Sequence, residues 1–223
     1  MIVPPYFWQK NTICSKVFQE NGCICFMSKN SNKMGLHVGT PDDVEKIQWT
    51  KNFRLKLEHF QNETEIDDGK FGISLLPEYE IEMFGKQLTN YSITNLKIKN
   101  LFRPIDAKID KNVWPEKDNY DALLFYQGAF DLSEEISRKA QTEIEQKIFR
   151  KTFSCKGRGK SERRKFAQED AQKQITKLMA PFLKEFFLEQ IQYEKDVNVP
   201  ENFKINYSKY QPRFDRLREE ISI

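Results

Sequence analysis

Cysteine, histidine and glycine are scarce in this chain, and each scarcity removes a class of reading. Four cysteines in 223 residues, Cys14, Cys23, Cys25 and Cys155, are too few and too unevenly spaced for a disulfide-stapled scaffold, so reduced thiols in an intracellular protein are expected. Cys23 and Cys25 share a face of an extended segment. With only His37 and His59 to complete a set, zinc would need an unusual ligand combination, and no metal or cofactor is expected. The two histidines fall in strand-like segments without the Ser, Cys or Asp spacing of a nucleophile motif. No dinucleotide fingerprint, H-E-x-x-H or G-x-S-x-G occurs. The acids come in pairs, such as Glu80 with Glu82 and Glu134 with Glu135, that suit solvent faces and helix starts. Catalysis by this chain is not expected.

Glycine-rich and serine-rich tracts are also missing, so a flexible linker between independent domains is not evident. No stretch approaches the roughly 18 apolar residues of a membrane span, and the opening M-I-V-P-P-Y-F-W-Q-K lacks the apolar core of a signal peptide. A soluble intracellular protein with no membrane partner and no small-molecule substrate is the expectation. The N-x-S/T triplets at Asn62, Asn90 and Asn206 then read as chance matches.

What the chain does have is apolar and aromatic weight, 39% hydrophobic with 18 Phe, enough to rule out a disordered polymer. Tyr6, Phe7 and Trp8 form an aromatic arm after Pro4-Pro5. Asn21-Gly22 between two β-prone runs predicts a type I′ hairpin. Thr40-Pro41-Asp42-Asp43 predicts a helix to about Trp49. Phe53, Leu55 and Leu57 alternate with charged residues as a half-buried strand does, Asp67-Asp68-Gly69 turns into F-G-I-S-L-L, and Tyr79, Ile81 and Met83 alternate again. Ile93, Leu96, Ile98 and Leu101 fit either a strand with a bulge or a short helix. D-A-L-L-F-Y-Q, residues 121–127, reads as an interior strand.

From Asp131 the period changes. Ile136, Ala140, Ile144 and Ile148 predict a helix over 133–148. A second begins at Ser161 as cap, carries Ala167, Ala171, Ile175 and Leu178 on one side, and is ended or kinked at Pro181. Phe182, Leu183, Phe186, Phe187 and Ile191 continue it to about Glu194. The expected fold is α+β: an antiparallel β-rich part over 1–130, conceivably a small barrel of the oligonucleotide-binding kind, a helical part over 131–195, and a polar and aromatic tail over 196–223 that straps the body. The three parts could also form one continuous domain.

Charge is where the sequence is most specific. Between Lys147 and Lys165 stand nine Lys or Arg and a single acid, Glu162, in a chain whose total is only +3; the remaining residues are therefore net acidic, and the positive charge is concentrated. G-R-G-K-S at 157–161 falls short of a phosphate-binding loop of nucleotide hydrolases, because Ser154 occupies the first glycine position. The run G-R-G-K-S, R-R-K-F-A and A-Q-K-Q-I-T-K-L, about 22 residues from Gly157, resembles the last part of a double-stranded-RNA-binding domain, in which a Gly-rich turn and a lysine pair open the final helix. That resemblance implies that Arg164 and Lys165 grip phosphates and that Ala167, Ala171, Ile175 and Leu178 pack. It departs from the family in having two extra residues before the basic pair and Gln168 where a third lysine is usual.

Independently of any family, a glycine turn at a helix start offers unpaired N–H groups and a dipole, and Lys156, Arg158, Lys160, Arg163, Arg164 and Lys165 surround it. The expected function is a non-catalytic nucleic-acid-binding accessory subunit of a larger complex, holding the phosphate backbone of DNA or RNA without reading bases. The alternative is a subunit whose partners are other proteins only.

Overall fold

A computed structural model of the chain describes residues 46–60, 71–109 and 113–219. The aromatic arm, the Asn21-Gly22 hairpin, most of the helix expected from Thr40, the Asp67–Gly69 turn, and Cys14, Cys23, Cys25 and His37 lie outside those residues.

Two long strands, β2 (Phe71–Phe84) and β3 (Asn90–Ala107), form an antiparallel hairpin. The choice at Ile93–Leu101 resolves as strand with a bulge: the register steps from Glu78↔Lys97 to Glu80↔Thr94, one extra residue on β3, and Asn95 takes up the left-handed backbone at φ 51°. Such a residue lets the side-chain alternation reset, so that Ile93 and Leu96 are both buried. A larger irregularity lies at the other end, where Phe71↔Ala107 gives way to Ile73↔Phe102. Gly72, at φ 64°, makes it possible, because a Cβ there would stand 2.8 Å from both the Ala107 Cβ and the Arg103 carbonyl. Pro104 therefore sits inside β3 at an irregularity, where a missing N–H is tolerated.

Three short contacts complete the sheet along the free edge of β3. β1 (Ile47–Gln48) pairs at Leu101–Phe102 and β4 (Phe153–Ser154) at Asn90–Tyr91. Between them α1 (Asn119–Ile148) supplies side chains in place of a strand: Gln141 accepts from the Ile98 N–H and donates to the Leu96 carbonyl, and Ser137 donates to the Ile98 carbonyl at 2.7 Å. Buried backbone groups need partners, and an exposed edge invites aggregation; polar residues four apart on one helix face meet both demands. Among the described residues the sheet is open, with order β1-β3-β2 and β4 on β3, and forms no closed barrel.

Three expectations need correction. Residues 121–127 are not a strand but the first turns of α1, because Ala122, Phe125, Tyr126 and Ala129 are buried at helical spacing. Phe53, Leu55 and Leu57 do not form a strand: the segment is irregular and ends in a single 3-10 turn, Leu57–His59. Ile47 and Gln48 belong to a strand rather than to the end of a helix. The tail forms a helix, α3 (Phe203–Glu219), which buries Phe203, Tyr207, Phe214 and Leu217 on one face.

α2 (Lys160–Val197) runs without interruption through Pro181. It lies antiparallel to α1: the Gly128 position faces Tyr193, Lys139 pairs with Glu185 at 2.8 Å, and the Lys147 ammonium stands over the Phe182 ring. Two buried clusters result. One is aromatic, built from Trp49, Phe102, Trp114, Phe125, Tyr193 and Phe214 with their neighbours. The other is largely aliphatic, with Ile136, Ala140 and Ile144 of α1 against Ala167, Ala171, Ile175 and Met179 of α2, all on the inner face of the hairpin.

Candidate nucleic-acid interface

The basic segment is laid out lengthwise. α1 ends beside the middle of α2, so on the order of 20 residues of α2, roughly 30 Å at 1.5 Å per residue, extend past that crossing towards the hairpin turn. The chain from Phe149 runs back along this overhang, pairs as β4, and enters α2 through Gly157 and Gly159. The cations are thus distributed along an edge instead of being gathered at one point.

The glycine turn is built on contacts to the β2–β3 turn. The Arg163 guanidinium donates to the Gly157 carbonyl at 3.0 Å and to the Gln87 carbonyl at 2.8 Å, and the Cys155 N–H donates to the Thr89 carbonyl at 2.7 Å. Gly157 is required, since its φ is 136° and a Cβ would approach the Glu162 Cβ to 2.9 Å. Behind the turn, the Tyr91 hydroxyl donates to Asp170 at 2.6 Å and its ring stacks on Phe153. Burial, with the adjacent Asp170 carboxylate, pushes that hydroxyl far above the usual tyrosine range. Burial likewise raises the Cys155 thiol, against the opposing charge of Arg163, so it is not an activated nucleophile.

Two of the expected site features are altered by this arrangement. Ser161 is not the cap: the helix starts at Lys160 with Gly159 as the N-cap residue. The Glu162 carboxylate reaches back instead and accepts from the Arg158 N–H at 2.8 Å, placing an internal anion next to the N–H groups a phosphate would use. Arg163 is half-buried and committed to holding two turns together. The other five are exposed. Lys156, Arg158, Lys160 and Arg164 have no side-chain hydrogen bond or ion pair among the described residues, and Lys165 makes only a loose contact with Glu169 at 3.9 Å.

Two residues of this edge were not picked out from the sequence. Lys86, exposed on the β2–β3 turn, reaches the patch because Arg163 ties that turn down; it lies 70 residues away in the chain and carried no local signal. Phe149, at the end of α1, is 68% exposed with the Arg150 guanidinium 4.9 Å from its ring centre. Its place among cations was visible, but its exposure was not.

His59 accepts from the Lys56 N–H at 3.0 Å and stacks on Phe53, which makes it part of a turn rather than of a strand. Among the described residues no group of three or more His, Cys, Asp or Glu side chains is placed to hold a metal ion, and no helix is long and apolar enough to cross a membrane. A shallow groove of about 280 Å³ between α1 and α3 is lined by Tyr120, Leu124, Phe203 and Tyr207, with Asp121 and Lys204 at its wall.

The buried polar cluster is a structural one. Arg218 of α3 forms a two-pronged ion pair with Asp131, which is 2% exposed, and also donates to the carbonyls of Lys51 and Phe53. Trp49 donates to the same carboxylate at 2.8 Å, and Gln127 bridges it to the Leu55 N–H. Asp131 is therefore the anchor of a segment that forms no regular structure of its own. No family model, curated protein or solved structure matches the chain.

Proposed function

We propose that this protein holds a nucleic-acid backbone along the edge formed by residues 147–165 and the β2–β3 turn, as a non-catalytic accessory subunit of an intracellular complex. One observation carries the reading: Lys156, Arg158, Lys160 and Arg164 are all exposed with no acidic partner among the described residues, whereas Arg103, Arg138, Arg213 and Arg218 are each paired with a carboxylate. Cations left unpaired side by side repel one another, and a polyanion relieves that repulsion while releasing its own counterions. The roughly 30 Å edge matches about nine phosphates of one strand at 3.4 Å spacing. Arg163 serves by positioning, and Glu162 competes with the ligand for the start of α2.

The decisive measurement is binding to a labelled duplex at 50 and 200 mM salt, for the wild type and for a variant with Lys156, Arg158, Lys160 and Arg164 changed to Ala. Arg163 is left alone because its loss would loosen both turns. Binding at the lower salt that falls steeply at the higher one supports the reading; a wild type that at 50 mM binds neither this duplex nor a single-stranded oligonucleotide overturns it.

A second reading has its own observation. Phe187, Leu188 and Ile191 of α2 are 38, 56 and 47% exposed and adjoin one another at helical spacing, while Phe182 and Phe186 are buried. Such a row suits a protein partner. If Leu188→Lys with Ile191→Lys abolishes association with co-purifying subunits while nucleic acid fails to bind, this second reading replaces the first.

A further inference from the structure

We infer that Phe149 is a stacking platform for an unpaired base, so that the edge takes single-stranded nucleic acid, or a single-stranded end, in preference to continuous duplex. The inference rests on the backbone-binding reading above and adds to it what the cations alone do not specify.

A single exposed aromatic residue needs no explanation, but this one is held in place. Phe149 is not at a loose loop tip: its N–H closes the last turn of α1 on the Glu145 carbonyl at 2.8 Å, and the Lys151 N–H donates to the Ile148 carbonyl at 3.0 Å. The residue between them, Arg150, adopts φ 55°, a conformation that costs a side-chain-bearing residue energy and that glycine would adopt freely. That turn brings the Arg150 guanidinium over the Phe149 ring at 4.9 Å. The ring is thus fixed at its base and backed by a cation, yet 68% of the residue remains in solvent. Four residues on, Phe153 is half-buried and stacked on Tyr91 at 5.0 Å between centroids. The same stretch therefore tucks one phenylalanine in and holds the other out.

Every nucleobase has a flat face that stacks on an aromatic ring, which makes such contact tolerant of sequence, and a guanidinium behind the ring strengthens it. In a continuous duplex both faces of each base are already stacked on neighbours, so the ring has nothing to take except at an end. A single strand presents a free face, and its flanking phosphates meet Arg150 and Lys151, both exposed, before the strand runs on towards Lys156 and Arg158.

The test is equilibrium binding of the full chain to labelled oligothymidylate of about 12 residues and to a blunt duplex hairpin of equal charge, at 50 mM salt, for the wild type, Phe149→Ala, Phe149→Leu and Phe149→Trp. The wild type should prefer oligothymidylate. Phe149→Ala and Phe149→Leu should each lose about tenfold or more in affinity for it with no change in salt slope and no change in duplex affinity, and Phe149→Trp should keep or exceed wild-type binding. The loss with Leu separates stacking from mere apolar contact. A wild type that binds both ligands but whose Ala and Leu variants stay within twofold of it overturns the stacking role and leaves the backbone reading standing. A wild type that binds neither overturns both.

Discussion

The two ends of the molecule handle positive charge in opposite ways. At the end where α3 packs on α1, arginine is a structural residue: Arg218 is locked onto Asp131, Arg213 bonds to Glu135 and Glu189, and both Arg218 and Arg138 stand over the Trp49 ring. At the end where α2 overhangs α1, Arg163 alone is used in this way, and its neighbours point into water. Burial makes the difference. An arginine beside a large aromatic core must be paired or pay for desolvation, whereas one on a thin edge of hairpin and helix stays solvated and remains available. Charge count alone does not show which cations folding leaves without an internal partner.

The comparison can be broken most forcefully at the buried pair. Asp131→Ala leaves Arg218 without its counter-ion and Trp49 without an acceptor, and should cost about 3–5 kcal/mol, seen as a fall in thermal midpoint of about 10 °C. If the midpoint hardly moves, the cluster is not what fastens the 49–55 segment and α3 to α1.

Next in size comes the solvated end. Changing Lys156, Arg158, Lys160 and Arg164 to Ala should leave stability nearly untouched, within about 0.5 kcal/mol for each surface position, while flattening the dependence of log affinity on log salt by about three units. A large loss of stability would mean that these side chains have structural partners after all.

Gly128→Ala tests how closely the aromatic end is packed. An added Cβ would stand 2.2 Å from the Tyr193 hydroxyl oxygen and 3.1 Å from the Phe214 ring, so α2 and α3 must give way, at a cost of about 1–3 kcal/mol. Gly159→Ala, at the basic end, meets nothing within 4 Å and should be close to neutral by the same denaturation assay.

The smallest expected effect concerns Glu134. Burial raises its carboxyl above the usual 4.5, although the Arg138 partner at 3.0 Å opposes the shift. The folded state therefore holds this proton more tightly than the unfolded chain does. The group's contribution to stability is present in full below about pH 4.5 and is lost as pH rises through the folded value. Glu134→Gln should accordingly be slightly more stable than wild type at pH 7, with the gap closing below about pH 4.5; a gap that widens on acidification would reverse the sign.

Much of the α+β plan was legible because it rests on local periods. Ile136, Ala140, Ile144 and Ile148 marked a helix by their spacing, and Tyr79, Ile81 and Met83 marked a strand. Residues 121–127 read as a strand because an apolar run of seven residues is too short to show its period, and strand and helix then look alike. Phe53 to Leu57 alternated as a strand does, but with no neighbour offering a ladder the segment was instead held by Gln127 and Arg218. Of the six cations expected at the site, five are exposed. The sixth, Arg163, is engaged by Gln87, a residue 76 positions away, which no local pattern indicates.

By itself, then, the sequence determined where the positive charge is concentrated, which faces of α1 and α2 are apolar, and that glycines break the chain between them. All of these are properties of neighbouring residues along one chain. Only the tertiary structure decided which cations are consumed internally, that Lys86 joins them, that Phe149 stays out while Phe153 goes in, and that polar side chains of α1 complete the edge of β3. Those outcomes depend on which distant surfaces meet, and a side chain's availability is the difference between its own chemistry and the partners that folding brings to it.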